Sequence, residues 1–301
     1  MTAQPSFSGS KVAVDDATLF IVDDYGALTR VELAGGTSEL LRPRDDRPSN
    51  PSLALDDTSV YLTLERDQGM TGEIVKIPRL GGVPITLVSS SSLIIDVAVD
   101  ANNAYWTELT GGVVRKVPLA GGTPVILASG SAESSTSSIA VNATGVFWIA
   151  SELLMSTSLD GDSPKIIASG VADELAVDET NLYWIADGEI LQAPVAGGPA
   201  IHLAANQDKP GTLTVDATSV YWVNQGSIWN QAGFYEGTVM RVPIGGGVPT
   251  ALARQQNLAG PFATFGNFVY WAVNGSLASN GSSGPSLLRL STDAYQEGVC
   301  R

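Results

Sequence analysis

Apolar residues recur along this chain in short runs broken by Gly, Asp, Asn, Ser or Thr, and the runs return in a fixed order. "VDANNAYW" (99–106), "VNATGVFW" (141–148), "VDETNLYW" (177–184) and "VDATSVYW" (215–222) share one pattern. An apolar run ends in Asp or Asn, and an aromatic follows five residues later. Aligned on the residue five before that aromatic, the chain reads Asp15, Asp56, Asp100, Asn142, Asp178, Asp216 and Phe265. The matching aromatics are Phe20, Tyr61, Tyr105, Phe147, Tyr183, Tyr221 and Tyr270. The steps between units are 41, 44, 42, 36, 38 and 49 residues.

Each unit predicts four short strands. Strand a is a run such as "SIAV"; strand b carries the aromatic pair; strand c resembles "VVRKVPL"; a Gly-rich turn leads to strand d, such as "TPVILA" (123–128). Repeats of this length and strand count are the signature of a β-propeller, so the expected fold is all-β, a single seven-bladed propeller of four-stranded antiparallel blades. The blades are expected at 1–48, 49–92, 93–134, 135–170, 171–208, 209–258 and 259–301, one domain over 1–301. A small residue sits two before every alignment position: Ala13, Ala54, Ala98, Ala140, Ala176, Thr214 and Ala263. Strands that converge on a central axis leave little volume per side chain, which accounts for this. After Ala294 the chain lacks the apolar alternation of a d strand, so "PSFS" (5–8) is expected to complete blade 7.

At these motifs the chain resembles the NHL and YWTD classes of propeller repeat, and more closely the bacterial propellers built from VDxTxVYW…VPLxGGxP units. The resemblance covers the whole chain and implies a fold; that architecture carries binding, scaffolding and catalysis alike.

The recurring Asp has two readings. As a structural residue it closes strand a and accepts hydrogen bonds from the turn into strand b. As a functional residue it contributes to a cation-binding ring. The Asp recurs with the turn and with no departure from the repeat, which favours the structural reading.

Function is expected where the repeat breaks. The span from alignment position to turn glycine is 19 to 21 residues in units 1, 3, 4 and 5, but 25 in unit 2, 30 in unit 6 and about 29 in unit 7. The excess lies between strands b and c, in "TLERDQGMTG" (63–72), "NQGSIWNQAGFYEG" (224–237) and "NGSLASNGSSGP" (274–285). Antiparallel order sends b–c and d–a loops to one face, and ring closure makes units 6, 7, 1 and 2 neighbours. The long loops therefore crowd one sector, joined by the charged d–a loop "RPRDDRPSNP" (42–51). The expected contact residues are Trp229, Asn230, Tyr235, Glu236, Asn274, Glu65 and Arg66. Aromatic rings beside amides suit stacking plus directional hydrogen bonds, hence a small molecule, a glycan or a peptide; folding of the loop onto its own aromatics is the competing reading. "NGS" at 274 and 280 also fits a glycosylation sequon.

Composition narrows the chemistry. Acidic residues outnumber basic ones 31 to 16, a net charge of −15 that repels phosphate backbones and anionic lipid heads, so neither nucleic acid nor a membrane is an expected partner. Cys300 is the single cysteine, so neither a disulfide within the chain nor a cysteine metal site is expected. His202, the single histidine, falls on a d strand at the perimeter, which argues against Ser-His-Asp chemistry and against a lyase of the streptogramin type. No catalytic residue and no metal ligand is assigned. The alternative to a binding propeller is a metal-assisted hydrolase or lyase, with Asp173, Glu174, Asp96 and Asn50 at the channel mouth and a divalent cation such as Ca²⁺ on the axis. A monomer is expected. The N-terminus "MTAQPSFSGS" lacks the basic and apolar stretches of a signal peptide, so the chain reads as cytoplasmic, or as exported with its signal segment outside this sequence.

Overall fold

The computed structural model describes residues 11–15, 17–46, 50–130, 136–170, 174–226, 237–256, 262–273 and 286–292. Seven antiparallel sheets follow one another along the chain, six of four strands in the order a-b-c-d and the seventh, among the described residues, of three in the order a-b-c. The a strands are Lys11–Val14, Leu53–Leu55, Ile94–Val99, Thr136–Asn142, Leu175–Val177, Pro210–Val215 and Phe262–Phe265. Each a strand packs on the next around the ring, and the seventh meets the first. The molecule is a seven-bladed β-propeller.

One cross-strand row repeats in every blade. The small residue of strand a stands opposite the aromatic of strand b: Ala13 opposite Phe20, Ala54 opposite Tyr61, Ala98 opposite Tyr105, Ala140 opposite Phe147, Ala176 opposite Tyr183, Thr214 opposite Tyr221 and Ala263 opposite Tyr270. The next residue of strand b points to the opposite face, since side chains alternate along a strand. The Tyr-Trp pair therefore feeds two different seams. Tyr183 packs with Trp222 of the following blade, Tyr105 with Trp148, Tyr221 with Trp271, and Phe147 with Trp184. Tyr61 meets Trp106 and Phe20 meets Leu62. At the closing seam Tyr270 packs on Leu19 and Ile21 of blade 1. Seven apolar clusters fill seven seams, so the core is a ring and both faces of strand b are buried within it.

The recurring Asp caps the a–b turn. Asp178 Oδ1 accepts from the backbone N–H groups of Thr180 (2.6 Å) and Asn181 (2.7 Å), and its Oδ2 accepts from the Tyr183 hydroxyl at 2.6 Å. The same phenol bond runs from Tyr61 to Asp56 (2.6 Å), Tyr105 to Asp100 (2.7 Å) and Tyr221 to Asp216 (2.8 Å). Where the aromatic is Phe, the partner changes. Asn142, paired in sequence with Phe147, donates Nδ2 to the Asp178 carbonyl of the next blade (2.7 Å). Asp15, paired with Phe20, forms an ion pair with Arg79 of the next blade.

In the c–d turn after "KVP", the Gly121 N–H donates to the Pro118 carbonyl at 2.8 Å. Gly121 and Gly122 adopt φ of +90° and +146°, a region that a side chain would strain, so the paired glycines of "LAGG" are a backbone requirement.

Candidate functional site

Two features occupy the face to which the b–c and d–a connections run. The first is on the rim between blades 1 and 2. Residues 63–72 read as an inserted loop in the sequence, but the structure extends both strands instead. Strand b runs Ser59–Arg66 and strand c Thr71–Pro78, paired as far as Arg66 opposite Thr71, and closed by a 3₁₀ turn at Asp67–Gly69. The extension holds because Thr63 and Leu64 are buried, while Glu65 and Arg66, half-buried, continue the ladder opposite Gly72 and Thr71. Gly72 lets the Ile94 backbone of blade 3 approach: a Cβ at this position would lie 2.5 Å from the Ile94 nitrogen.

Arg66 is clamped across this hairpin. Its Nε donates to Glu73 Oε2 at 2.9 Å and its NH1 to Asp45 Oδ2 at 2.9 Å, while Asp45 also takes two hydrogen bonds from Arg42 NH2 (2.8 and 2.9 Å). Burial disfavours the Asp45 anion, but the bonds from Arg66 and Arg42 outweigh it and hold the carboxyl below its usual range. Burial likewise works against the Arg66 cation, and Asp45 and Glu73 more than restore it. A cleft of about 460 Å³ lies against the clamp, lined by Asp45 and Asp46 from the d–a loop and by Glu65, Arg66, Asp67 and Gln68 from the hairpin. Four carboxylates face one guanidinium there.

The second feature is the mouth of the axial channel, a cavity of about 250 Å³ whose walls come from five consecutive blades. Asp96 of blade 3 is its centre. Oδ1 accepts from the Val97 N–H at 2.9 Å and from the Ser52 hydroxyl of blade 2, and Oδ2 accepts from the Ile139 N–H of blade 4 at 2.9 Å. One carboxylate thus ties three blades together. It keeps some surface toward the channel but is ringed by protein, and that burial raises its pKa against the hydrogen bonds that favour the anion.

Of the residues expected at the rim, Glu65 and Arg66 line the cleft. Trp229, Asn230, Tyr235, Glu236 and Asn274 lie outside the described residues. Of the expected channel-mouth group, Asp96, Glu174 and Asn50 line the cavity together, and Asp173 is outside the described residues. The sequence reading missed Lys11, Ser52, Ile95, Ser137 and Ser138, which with Pro51 complete the wall. "SAESSTSS" has the composition of a loop, but its last three residues open strand a of blade 4, and there Ser137 and Ser138 line the channel mouth. His202 stands on the outermost strand of blade 5, Ile201–Ala204, exposed and 2.6 Å from Glu189. Among the described residues no group of three or more His, Cys, Asp or Glu is arranged to hold a metal, and no helix is long and apolar enough to cross a membrane.

No protein-family model matches the chain, so the NHL and YWTD resemblance has no family model behind it. No curated protein matches it in sequence. Solved structures do share its shape. A nidogen/laminin complex superposes with a TM-score of 0.58 at 16% identity, over 79% of this chain and 92% of that one. The computationally designed Ika8 protein gives 0.62 at 17%, over 91% and 83%. BamB from Moraxella catarrhalis gives 0.56 at 14%, over 86% and 80%. At such identities the likeness is one of fold, and it places this chain among the β-propellers.

Proposed function

We propose that this protein is a non-catalytic recognition propeller that binds a peptide segment carrying basic side chains through the loop-rich face. The observation that carries the reading is the rim cleft. Its floor is fixed by the Arg42–Asp45–Arg66–Glu73 network, and its remaining carboxylates, Asp46, Glu65 and Asp67, leave an acidic surface on a rigid hairpin. A site held by its own ion pairs loses little entropy on binding, and a negative field speeds the approach of a cationic partner. Trp229, Asn230, Tyr235, Glu236 and Asn274 belong to the b–c connections of blades 6 and 7, which open on the same face, and they are the proposed stacking and amide contacts beside the cleft. The propeller shape shared with a structure solved as a nidogen/laminin complex is an analogy of fold that accords with a protein partner. A hydrolase built on Asp96 is less well supported, because three of that carboxylate's acceptor positions already hold blades 2, 3 and 4 together.

Fluorescence anisotropy with a panel of lysine- and arginine-containing peptides tests this. Binding should weaken with added salt, fall about tenfold or more in Asp46→Lys/Glu65→Lys, and fall roughly 5- to 150-fold in Trp229→Ala, the range of an anchor residue worth about 1–3 kcal/mol. Affinity unchanged by the charge reversals, or a ligand mapped to the short c–d turns of the opposite face, would rule the reading out.

A further inference from the structure

We propose that the axial cavity at the loop-rich end of the channel binds a small zwitterion of amino-acid size, with Lys11 receiving its carboxylate and Asp96 and Glu174 receiving its ammonium. This site is separate from the rim cleft, with which it shares no lining residue. Four observations converge on it.

The first is size. The cavity of about 250 Å³, open on one side, has room for a small polar molecule. The second is charge. Lys11 begins strand a of blade 1, Asp96 stands on blade 3 and Glu174 precedes strand a of blade 5, so one cation and two anions arise from separate sectors of the wall. Lys11 is near enough for its charge to act on Asp96. An amine alone would be repelled by Lys11, and a carboxylate alone by the two anions; a molecule bearing both groups is attracted at both ends.

The third is unused hydrogen-bonding capacity. A carboxylate offers about four acceptor positions, and the structure fills three on Asp96, leaving one for a ligand N–H. Ser137 Oγ is buried with no hydrogen-bond partner within the protein, and a rotating hydroxyl can donate to a carboxylate or accept from an ammonium. The fourth is backbone. In blade 3, Thr107 pairs with Asp96 and Glu108 with Ile94, so Ile95 is extra. In blade 4, Thr136 pairs with Ala150 and Ile139 with Trp148, so Ser137 and Ser138 share the place opposite Ile149. Ile95 and the Ser137–Ser138 pair all line the cavity. Bulges re-aim side chains and gather beside binding sites, and these two widen neighbouring strands at the same depth of the channel.

The test uses the full chain, with the twenty standard amino acids supplied singly as probes, their amides and N-acetyl derivatives as half-charged controls, and glycerol, erythritol and calcium chloride as the competing chemistries. Thermal shift selects, and titration calorimetry measures. At least one free amino acid should raise the melting temperature and bind with one-to-one stoichiometry, and its amide and its N-acetyl form should each bind at least tenfold more weakly. Lys11→Met should abolish the preference for the free acid over the amide, and Glu174→Gln should weaken the free amino acid while both variants melt like the parent. Basic-peptide binding at the rim should be unchanged in Lys11→Met, so failure of one site leaves the other standing. The proposal is overturned if no amino acid binds, if a polyol or calcium alone gives the saturable response, or if Lys11→Met binds the zwitterion as well as the parent.

Discussion

The pairing of aromatic type with turn residue is a rule written at the scale of single side chains. Tyr61, Tyr105, Tyr183 and Tyr221 each donate to an Asp five residues earlier, and where the aromatic is Phe the turn residue finds a partner in the next blade. For Asp56 and Asp178 burial opposes ionisation, but the phenol and turn N–H bonds outweigh it and lower the pKa. The partner phenols move the other way: burial first, then the bonded carboxylate, raise the pKa of Tyr61, Tyr105, Tyr183 and Tyr221 above 10.0. A phenol with a raised folded pKa contributes stability that is complete below the unfolded value of about 10 and is lost as pH climbs above it. Spectrophotometric titration should therefore show these tyrosines ionising late and together with alkaline unfolding, and Tyr183→Phe should cost roughly 1–2 kcal/mol at neutral pH. Phenols that titrate near pH 10 in a still-folded protein would contradict this. The capping role of the Asp was legible in the sequence from its place before each turn. The phenol bond was not, although every unit with Tyr five residues after an acidic or amide turn residue has Asp there, because five residues of separation bring two side chains together only once the turn's geometry is known.

At the scale of elements, strand c explains how blades keep their spacing. The residue opposite each strand-b aromatic is a long cation in five blades: Arg30, Lys76, Lys116, Arg241 and Arg289. Four of them reach the next blade: Arg30 donates to the Arg79 carbonyl (3.3 Å), Lys76 to Leu119 (3.1 Å), Lys116 to Leu159 (2.6 Å) and Arg241 to Thr292 (2.7 Å). The apolar stem covers the seam while the charged end caps a carbonyl. Lys116→Met keeps the stem and removes the bond, so chemical denaturation should report a loss of about 1–2 kcal/mol with little change in slope. An unchanged midpoint would mean that water replaces the ammonium at no cost. These crossings are invisible to a repeat pattern, which records spacing along the chain and not contacts between its units. The blade-2 insertion shows a related limit: "ERDQG" has the composition of a loop, and only cross-strand ion pairing and the buried Leu64 make its first residues a strand.

On the scale of the whole molecule, a propeller is stable only if its ring closes. Strand a of blade 7 packs on strand a of blade 1, and Tyr270 with Leu19 and Ile21 fills the last seam, so apolar packing already joins the ends. Blade 7 shows strands a, b and c among the described residues, with Ser286–Ser291 of strand c opposite strand b. A strand c left as an edge would expose a row of unpaired N–H and C=O groups, which native sheets avoid. Residues 293–301 read poorly as a strand, while "PSFS" at 5–8 directly precedes the first strand of blade 1. Both stretches lie outside the described residues. If the N-terminal stretch supplies the fourth strand, removing residues 1–9 takes away its ladder hydrogen bonds and uncovers strand c, while leaving the seam formed by Tyr270, Leu19 and Ile21 intact. The loss should then be partial: a melting temperature lower by several degrees, consistent with a few kcal/mol at this chain length, with an unchanged circular dichroism signature. Removing residues 293–301 instead should have the smaller effect. Equal stability of the first truncation and the parent, measured by differential scanning calorimetry, would assign closure to the apolar seam alone.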